Sequence, residues 1–158
     1  RCFDAFGSME AGFILSVGKQ TDINTLGDIP GNFHVYNFVP QVALLPRVDA
    51  FLTHGGMNSV HEGLIAGVPL VCVPQQQEQA MVAAQLGMTG AGIPLQLVPP
   101  FGDVGAAQLR EAVETILSDT SYAQKSAALG ESMRAAGGVS RVVNLLQAFA
   151  REGRFPVE

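Results

Sequence analysis

The sequence predicts an α/β fold: a doubly wound parallel sheet followed by a helical tail. Three observations predict it. Short apolar runs alternate with helical patterns from Phe13 to Leu95. These runs lack a polar face, as expected of parallel strands covered by helices on both sides. After Val104 the apolar residues recur only at helical spacing.

The totals fit that reading. The chain has 158 residues, 47% of them hydrophobic and 15% charged, which argues for one folded domain and against disorder. With 18 glycines and 9 prolines, many tight turns are expected. A net charge of -5 argues against a nucleic-acid partner. No apolar run is long enough to cross a membrane, and no leader pattern is present. The expected location is cytoplasmic. Cys2 and Cys72 read as two thiols, with Cys72 in an apolar strand. The chain opens RCFDAFGS without an initiator Met, as if cut from something longer.

Taken in order, Arg1 to Ala11 reads as a helix with Cys2, Phe3, Phe6 and Met9 on one face. Phe13 to Val17 is a buried strand closed by Gly18. A polar loop with Asp22, Asn24, Gly27, Pro30 and Gly31 runs to Asn32. Phe33 to Tyr36 is a strand, and Gln41 to Leu45 a short helix ended by Pro46. Ala50 to Thr53 is a strand, followed by a Gly55-Gly56 turn and a helix from Asn58 to Ala66. Gly67 stops that helix and Pro69 forbids its continuation. Leu70 to Val73 is a buried strand. Gln76 to Leu86 is a helix with Gly87 as its stop, and Gly92 to Leu95 is a strand. Helices follow over Val104 to Leu117, Ser121 to Ala136 and Ser140 to Arg151, with Ser140 as a cap for the last.

The chemistry concentrates in FLTHGGMNSVHE, Phe51 to Glu62. A strand, a glycine turn and a helix start come in succession there. The first amides of a helix lack intrahelical partners and its dipole is positive at that end, so the junction suits an anion. Glycine lets a phosphate approach the backbone. Asn58, Ser59 and Glu62 share one helix face, being three and four residues apart. A carboxylate meeting a phosphate directly would be repelled. It fits if a neutral, hydroxyl-rich group lies between them, and a ribose diol can donate two hydrogen bonds to one carboxylate. The pattern therefore suits a nucleotide. Upstream, Phe38-Val39-Pro40-Gln41 places an aromatic at another strand end, where it can stack a base. Downstream, Gln75 to Gln79 (QQQEQ) supplies hydrogen-bonding side chains suited to a sugar.

With these residues in place, the segment NFVPQVALLPRVDAFLTHGGMNSVHEGLIAGVPLVCVPQQQEQ, Asn37 to Gln79, resembles a known signature. It is similar to the donor-binding signature of the nucleotide-sugar-dependent glycosyltransferases of the GT-B fold, family 1. These enzymes have two Rossmann-like domains, and the resemblance is to the bacterial macrolide branch. It implies that the whole chain is the Rossmann-like C-terminal half of such an enzyme, one nucleotide-sugar-binding domain over residues 1–158. It implies that Phe38 stacks on the base, where plant members carry Trp, and that Val39 meets the base edge through its backbone. Gln41 and Glu62 would hold the ribose. His54, Gly55, Gly56, Asn58 and Ser59 would cradle the diphosphate. Met57, Glu78 and Gln79 would meet the sugar, although plant members carry Trp where Met57 stands.

The resemblance further implies an inverting transfer of a hexose, glucose by analogy, from a UDP-sugar to a hydroxyl of a small-molecule acceptor. No cofactor is implied: the UDP-sugar is the substrate and helix and side-chain donors, not a metal, stabilise the leaving group. The partners implied are the nucleotide-sugar donor and an N-terminal acceptor domain that carries the catalytic base. By the same likeness, that domain and the first strand of this one are expected to be missing, so the chain should be inactive alone. A missing central strand would leave an unpaired edge or a gap in the sheet. Two alternatives stay open: a nucleotide-sugar epimerase of the same fold and a non-catalytic nucleotide-binding module. A dinucleotide-dependent dehydrogenase is disfavoured, because no G-x-G-x-x-G opens a strand–helix turn. Single residues also have plain readings. His54 can cap a strand end, Phe38 can be core, and Gln75 to Gln77 can be the start of a helix. His34 and His61 read as structural or surface residues, because HEGLI lacks the second His of a zinc motif.

Overall fold

The computed structural model describes residues 1–153. Helices α1 (Cys2–Phe6), α2 (Gln41–Leu44), α3 (Met57–Ala66), α4 (Gln77–Thr89), α5 (Ala106–Ser118), α6 (Thr120–Ala135) and α7 (Gly138–Glu152) surround five strands. These are β1 (Phe13–Ser16), β2 (Phe33–Tyr36), β3 (Phe51–Thr53), β4 (Leu70–Cys72) and β5 (Gly92–Pro94). All neighbouring strands are parallel, as their unbroken apolar character requires. They form two sheets, β1–β2 and β3–β4–β5. The expected α/β architecture with a helical tail is present. The strands, however, divide between β1 and β3 into two sheets.

The pleat of β4 divides the core in two. Val71 points to one face, where it joins Ala5, Phe6, Val104, Leu109, Val113 and Ile116 of α1 and α5 and their connections. Leu70 and Cys72 point to the other, against Val60, Leu64, Val82, Ala83 and Leu86 of α3 and α4. Side chains alternate across a strand, so three fully buried residues serve both layers. Phe6, Phe13 and Phe33 stack in series, with ring centroids 4.8 and 5.1 Å apart. This stack fixes α1 on β1 and β2. Asn32 holds the loop between them, because its Nδ2 donates to the carbonyls of Phe6, Met9 and Ala11.

Helix α3 ends as its sequence demands. Gly67 adopts a left-handed φ of 76°, and the Gly67 and Val68 amides fold back onto the carbonyls of the last turn. Pro69 then turns the chain into β4. Helix α6 locks α3 in place from outside. Ser126 is buried and its Oγ donates to the Val68 carbonyl at 2.8 Å. Gly130 lets the two helices touch backbone to backbone, since a Cβ there would run into the Leu64 carbonyl.

Several expected boundaries are corrected. The first helix is only one turn, because Gly7 packs under Pro30 and the chain must return to Phe13. Pro46 does not stop α2 but sits in a 3-10 turn, Leu45–Arg47. Gly87 lies inside α4, where it makes room for the Pro94 ring, and Gly90, with φ 70°, is the real stop. Asp119 caps α6 by accepting from the Ser121 amide, which holds its carboxyl below the usual value. Ser140 lies within α7, whose cap is Gly137 in the left-handed region. Both cysteines are free thiols, and burial pushes the Cys72 thiol up to about 12.

Candidate functional site

The site lies where the strands of both sheets end. Gln41 begins α2, just beyond β2, and Ser59 and Glu62 lie on α3, just beyond β3. Gln41 Nε2 donates to Glu62 Oε2 at 2.6 Å and approaches Ser59 Oγ at 3.5 Å. The carboxyl ends of the two sheets therefore open on the same side, the position where ligands enter open α/β sheets. One oxygen of Glu62 is held by Gln41. The other is left to accept.

The glycine turn is shaped by close packing. Gly55 has φ +82°, and a Cβ there would stand 3.3 Å from the Gln79 carbonyl oxygen and 3.6 Å from Cys72 Cβ. The turn is thus pressed against the start of α4, which brings Gln79 beside it. Gly56 is the N-cap of α3, with φ −62° and ψ 139°. Its missing Cβ is filled by His54, whose Nε2 would stand 2.5 Å from that atom. His54 is exposed and lies over the helix start. No side chain caps this end, and the first intrahelical bond runs from the Val60 amide to the Gly56 carbonyl. The amides of Met57, Asn58 and Ser59 are left as free donors at the positive end of the dipole.

The remaining residues frame this cradle. Phe38 is 65% exposed, so it is a surface platform and not core. Its backbone is set by Asn37, whose Nδ2 donates to the carbonyls of Gly18 at 3.0 Å and Thr21 at 2.6 Å. Lys19 Nζ stands 5.5 Å from the Phe38 ring centroid. Val39, Gln41, His54 and Ser59 share the wall of one cavity. Met57 is 43% exposed at the first turn of α3, next to Asn58, which is also exposed. Glu78 is exposed in the first turn of α4, whereas Gln79 is half buried and its Oε1 accepts from the Gln75 amide at 2.8 Å. That bond occupies the Gln79 oxygen and leaves its amide nitrogen to donate. Gln75 is tied to its own strand end, its Nε2 donating to the Val73 carbonyl.

Two residues escaped sequence reasoning, Lys19 and Asn37. The signal was present: Val17-Gly18-Lys19 is another strand end with a glycine turn, like the one at Gly55. Its neighbourhood to Phe38 arises only through the parallel pairing of β1 with β2.

The chain matches known proteins over nearly its whole length. Residues 1–149 match the family described as Erythromycin biosynthesis protein CIII-like, C-terminal domain. The chain is 37% identical to the NDP-glycosyltransferase YjiC of Bacillus subtilis (strain 168) over 98% of its own length and 38% of that protein's. It is 31% identical to the oleandomycin glycosyltransferase of Streptomyces antibioticus, over 93% of this chain and 34% of that one. The structure of the glycotransferase of kitacinnamycin superposes with a TM-score of 0.83 at 34% identity, covering 92% of this chain and 37% of that chain. The chain thus spans little more than a third of the length of these relatives. Among the described residues, no helix is long and apolar enough to cross a membrane. The chain belongs to the family of the Erythromycin biosynthesis protein CIII-like C-terminal domain, a domain of GT-B glycosyltransferases.

Proposed function

We propose that this chain is the sugar-donor half of an inverting glycosyltransferase and that it grips a nucleoside diphosphate. One observation carries the reading: Gln41 and Glu62 join at the edge of a helix start with three free amides, and Phe38, three residues before Gln41, is exposed. The order of these residues along the strand ends suits base, ribose and diphosphate. Phe38 would stack the base and Val39 would offer its backbone to the base edge. Gln41 would donate to a ribose hydroxyl and Glu62 accept from one. The amides from Met57 to Ser59, with His54 above them, would hold the β-phosphate. Met57, Glu78 and the free amide of Gln79 would face the sugar.

In the reaction, an acceptor hydroxyl oxygen bonds to the anomeric carbon as the bond from that carbon to the β-phosphate oxygen breaks. The electron pair leaves with the diphosphate. Fixed donors here are worth most in the transition state, because the charge on that oxygen grows as the bond breaks. The proton of the acceptor would pass to a base on an N-terminal domain, which also shapes the acceptor pocket. The donor we assign is a UDP-hexose, with glucose favoured by the Glu78-Gln79 pair. The leaving group needs no metal in this scheme, and the compartment we assign is the cytoplasm. Calorimetric titration of the chain with UDP, TDP, ADP and NADP tests the reading. Selective binding of the pyrimidine diphosphates is expected; equal affinity for all four would overturn it.

A further inference from the structure

Lys19 sets a positive charge against the Phe38 platform, and no carboxylate neutralises it. Its Nζ stands over the Phe38 ring, 5.5 Å from the centroid. Both side chains are exposed. Among the described residues Lys19 forms no ion pair. The nearest acid in sequence, Asp22, is engaged elsewhere: its Oδ1 accepts from the Asn24 amide and from the Asn24 side chain. An exposed contact between an ammonium and an aromatic face is a weak attraction. The ammonium can therefore exchange it for a stronger partner.

The turn that carries Lys19 is fixed from several sides. Gly18 takes a left-handed φ of 86° just beyond β1. The Val17 amide donates to the carbonyl of Tyr36, the last residue of β2. The Thr21 amide donates to the Gly18 carbonyl at 3.2 Å, and Thr21 Oγ1 to the Val17 carbonyl at 2.7 Å. Asn37 Nδ2 then spans the turn, bonding the carbonyls of Gly18 and Thr21. Asn37 precedes Phe38, so one residue ties the Lys19 turn to the backbone of the platform. The two backbones are held as one piece, and only the lysine side chain stays adjustable.

What Lys19 can do there rests on the reading above, in which Phe38 stacks the base. A base on that ring lies about 3.5–4 Å from it. An ammonium 5.5 Å from the ring centroid is then within reach of the base edge. Lysine offers three N–H donors and no acceptor, so it favours a base carbonyl and is opposed by a base amine. The ribose end of the base belongs to Gln41 and Glu62. Lys19 makes no ion pair with Glu62, so it stands away from that end. The edge left to it is the one farthest from the ribose. There uracil and thymine carry a carbonyl oxygen, and cytosine carries an amine.

We propose that Lys19 is a specificity-determining residue: its Nζ donates to the carbonyl oxygen of a uracil or thymine stacked on Phe38, and so selects these bases over cytosine. Calorimetric titration of the parent chain and of Lys19→Met with UDP, CDP and inorganic pyrophosphate tests it. UDP and CDP share ribose and diphosphate and differ only along the base edge. The parent should bind UDP at least about tenfold more tightly than CDP. Lys19→Met keeps the reach of the side chain and loses its charge and donors. It should weaken UDP about tenfold and leave CDP and pyrophosphate within about twofold. Equal losses for all three ligands would overturn the proposal, because Lys19 would then act only through its charge on the diphosphate. Tighter binding of UDP by Lys19→Met would also overturn it, because the ammonium would then merely cover the ring. Phe38→Ala separates this inference from the reading beneath it. If Phe38→Ala weakens UDP while Lys19→Met leaves the ratio of UDP to CDP affinity unchanged, the inference fails alone. If Phe38→Ala binds UDP as tightly as the parent, the base platform and the inference fall together.

Discussion

Gly55 and Gly56 are adjacent, yet their replacement by alanine should fail in different ways. At Gly55 the backbone is left-handed, φ +82°, which costs a side-chain-bearing residue about 1–2 kcal/mol. The new methyl would also press on the Gln79 carbonyl at 3.3 Å, which is backbone and yields little. Gly55→Ala should therefore lose about 2 kcal/mol of stability, a fall of roughly 4–8 °C in Tm for a domain of this size. At Gly56 the backbone is extended, φ −62° and ψ 139°, and alanine fits it without strain. Losing chain entropy in the unfolded state gains about 0.4–1 kcal/mol, which offsets the poorer N-cap. The methyl would instead meet His54 Nε2 at 2.5 Å. The imidazole is an exposed side-chain end and can swing away. Gly56→Ala should thus leave Tm within about 2 °C and remove the His54 contact to the diphosphate. A hydrogen bond to a charged group is worth about 1.5–3 kcal/mol, so the Kd for UDP should rise about 10- to 100-fold. Thermal unfolding and calorimetric titration of both variants read the two effects. The reasoning is refuted if Gly56→Ala binds UDP as well as the parent, or if it unfolds as early as Gly55→Ala.

Three further outcomes follow from the same geometry. Glu62→Ala should weaken UDP far more than it weakens inorganic pyrophosphate, measured by competition on one protein preparation; equal losses would remove the ribose assignment. Gly130→Ala should destabilise the fold by about 1–3 kcal/mol in urea unfolding, because overpacking against the Leu64 backbone outweighs the helix propensity gained. A rise in stability would mean that α3 and α6 are less tightly joined than described. The Asp119 carboxyl is held below its ordinary value of 3.8, first by the Ser121 amide bond. Its contribution is therefore present above that value and lost as pH falls through the lower folded value. Asp119→Asn should flatten this part of the acid unfolding curve as pH falls below about 3.8, whereas an unchanged curve would deny Asp119 that role.

The helices and strands were legible because their signals are local. The Gly67 stop, the apolar runs of β1 and β4, and the face shared by Ser59 and Glu62 need only a few residues of context. The errors came where distant packing decides. Gly87 reads as a stop, but Pro94 of the next strand fills the space its side chain would need. Ser140 reads as a cap, but two left-handed glycines before it start α7 earlier. Glu62 was singled out because a carboxylate suits a diol, and Gln41 because of the family resemblance. Their bond to each other joins residues 21 apart, and sequence spacing alone does not show it. Lys19 and Asn37 were overlooked for the same reason, since β1–β2 pairing brings them to Phe38.

We propose that the free amides at the start of α3 hold the β-phosphate while Glu62 holds the ribose. A crystal structure of the chain with UDP tests it directly. Phosphate oxygens are expected within hydrogen-bond distance of the Met57, Asn58 and Ser59 amides, and both ribose hydroxyls at Glu62. A diphosphate seated at the start of α4, with Glu62 still bonded only to Gln41, would contradict it.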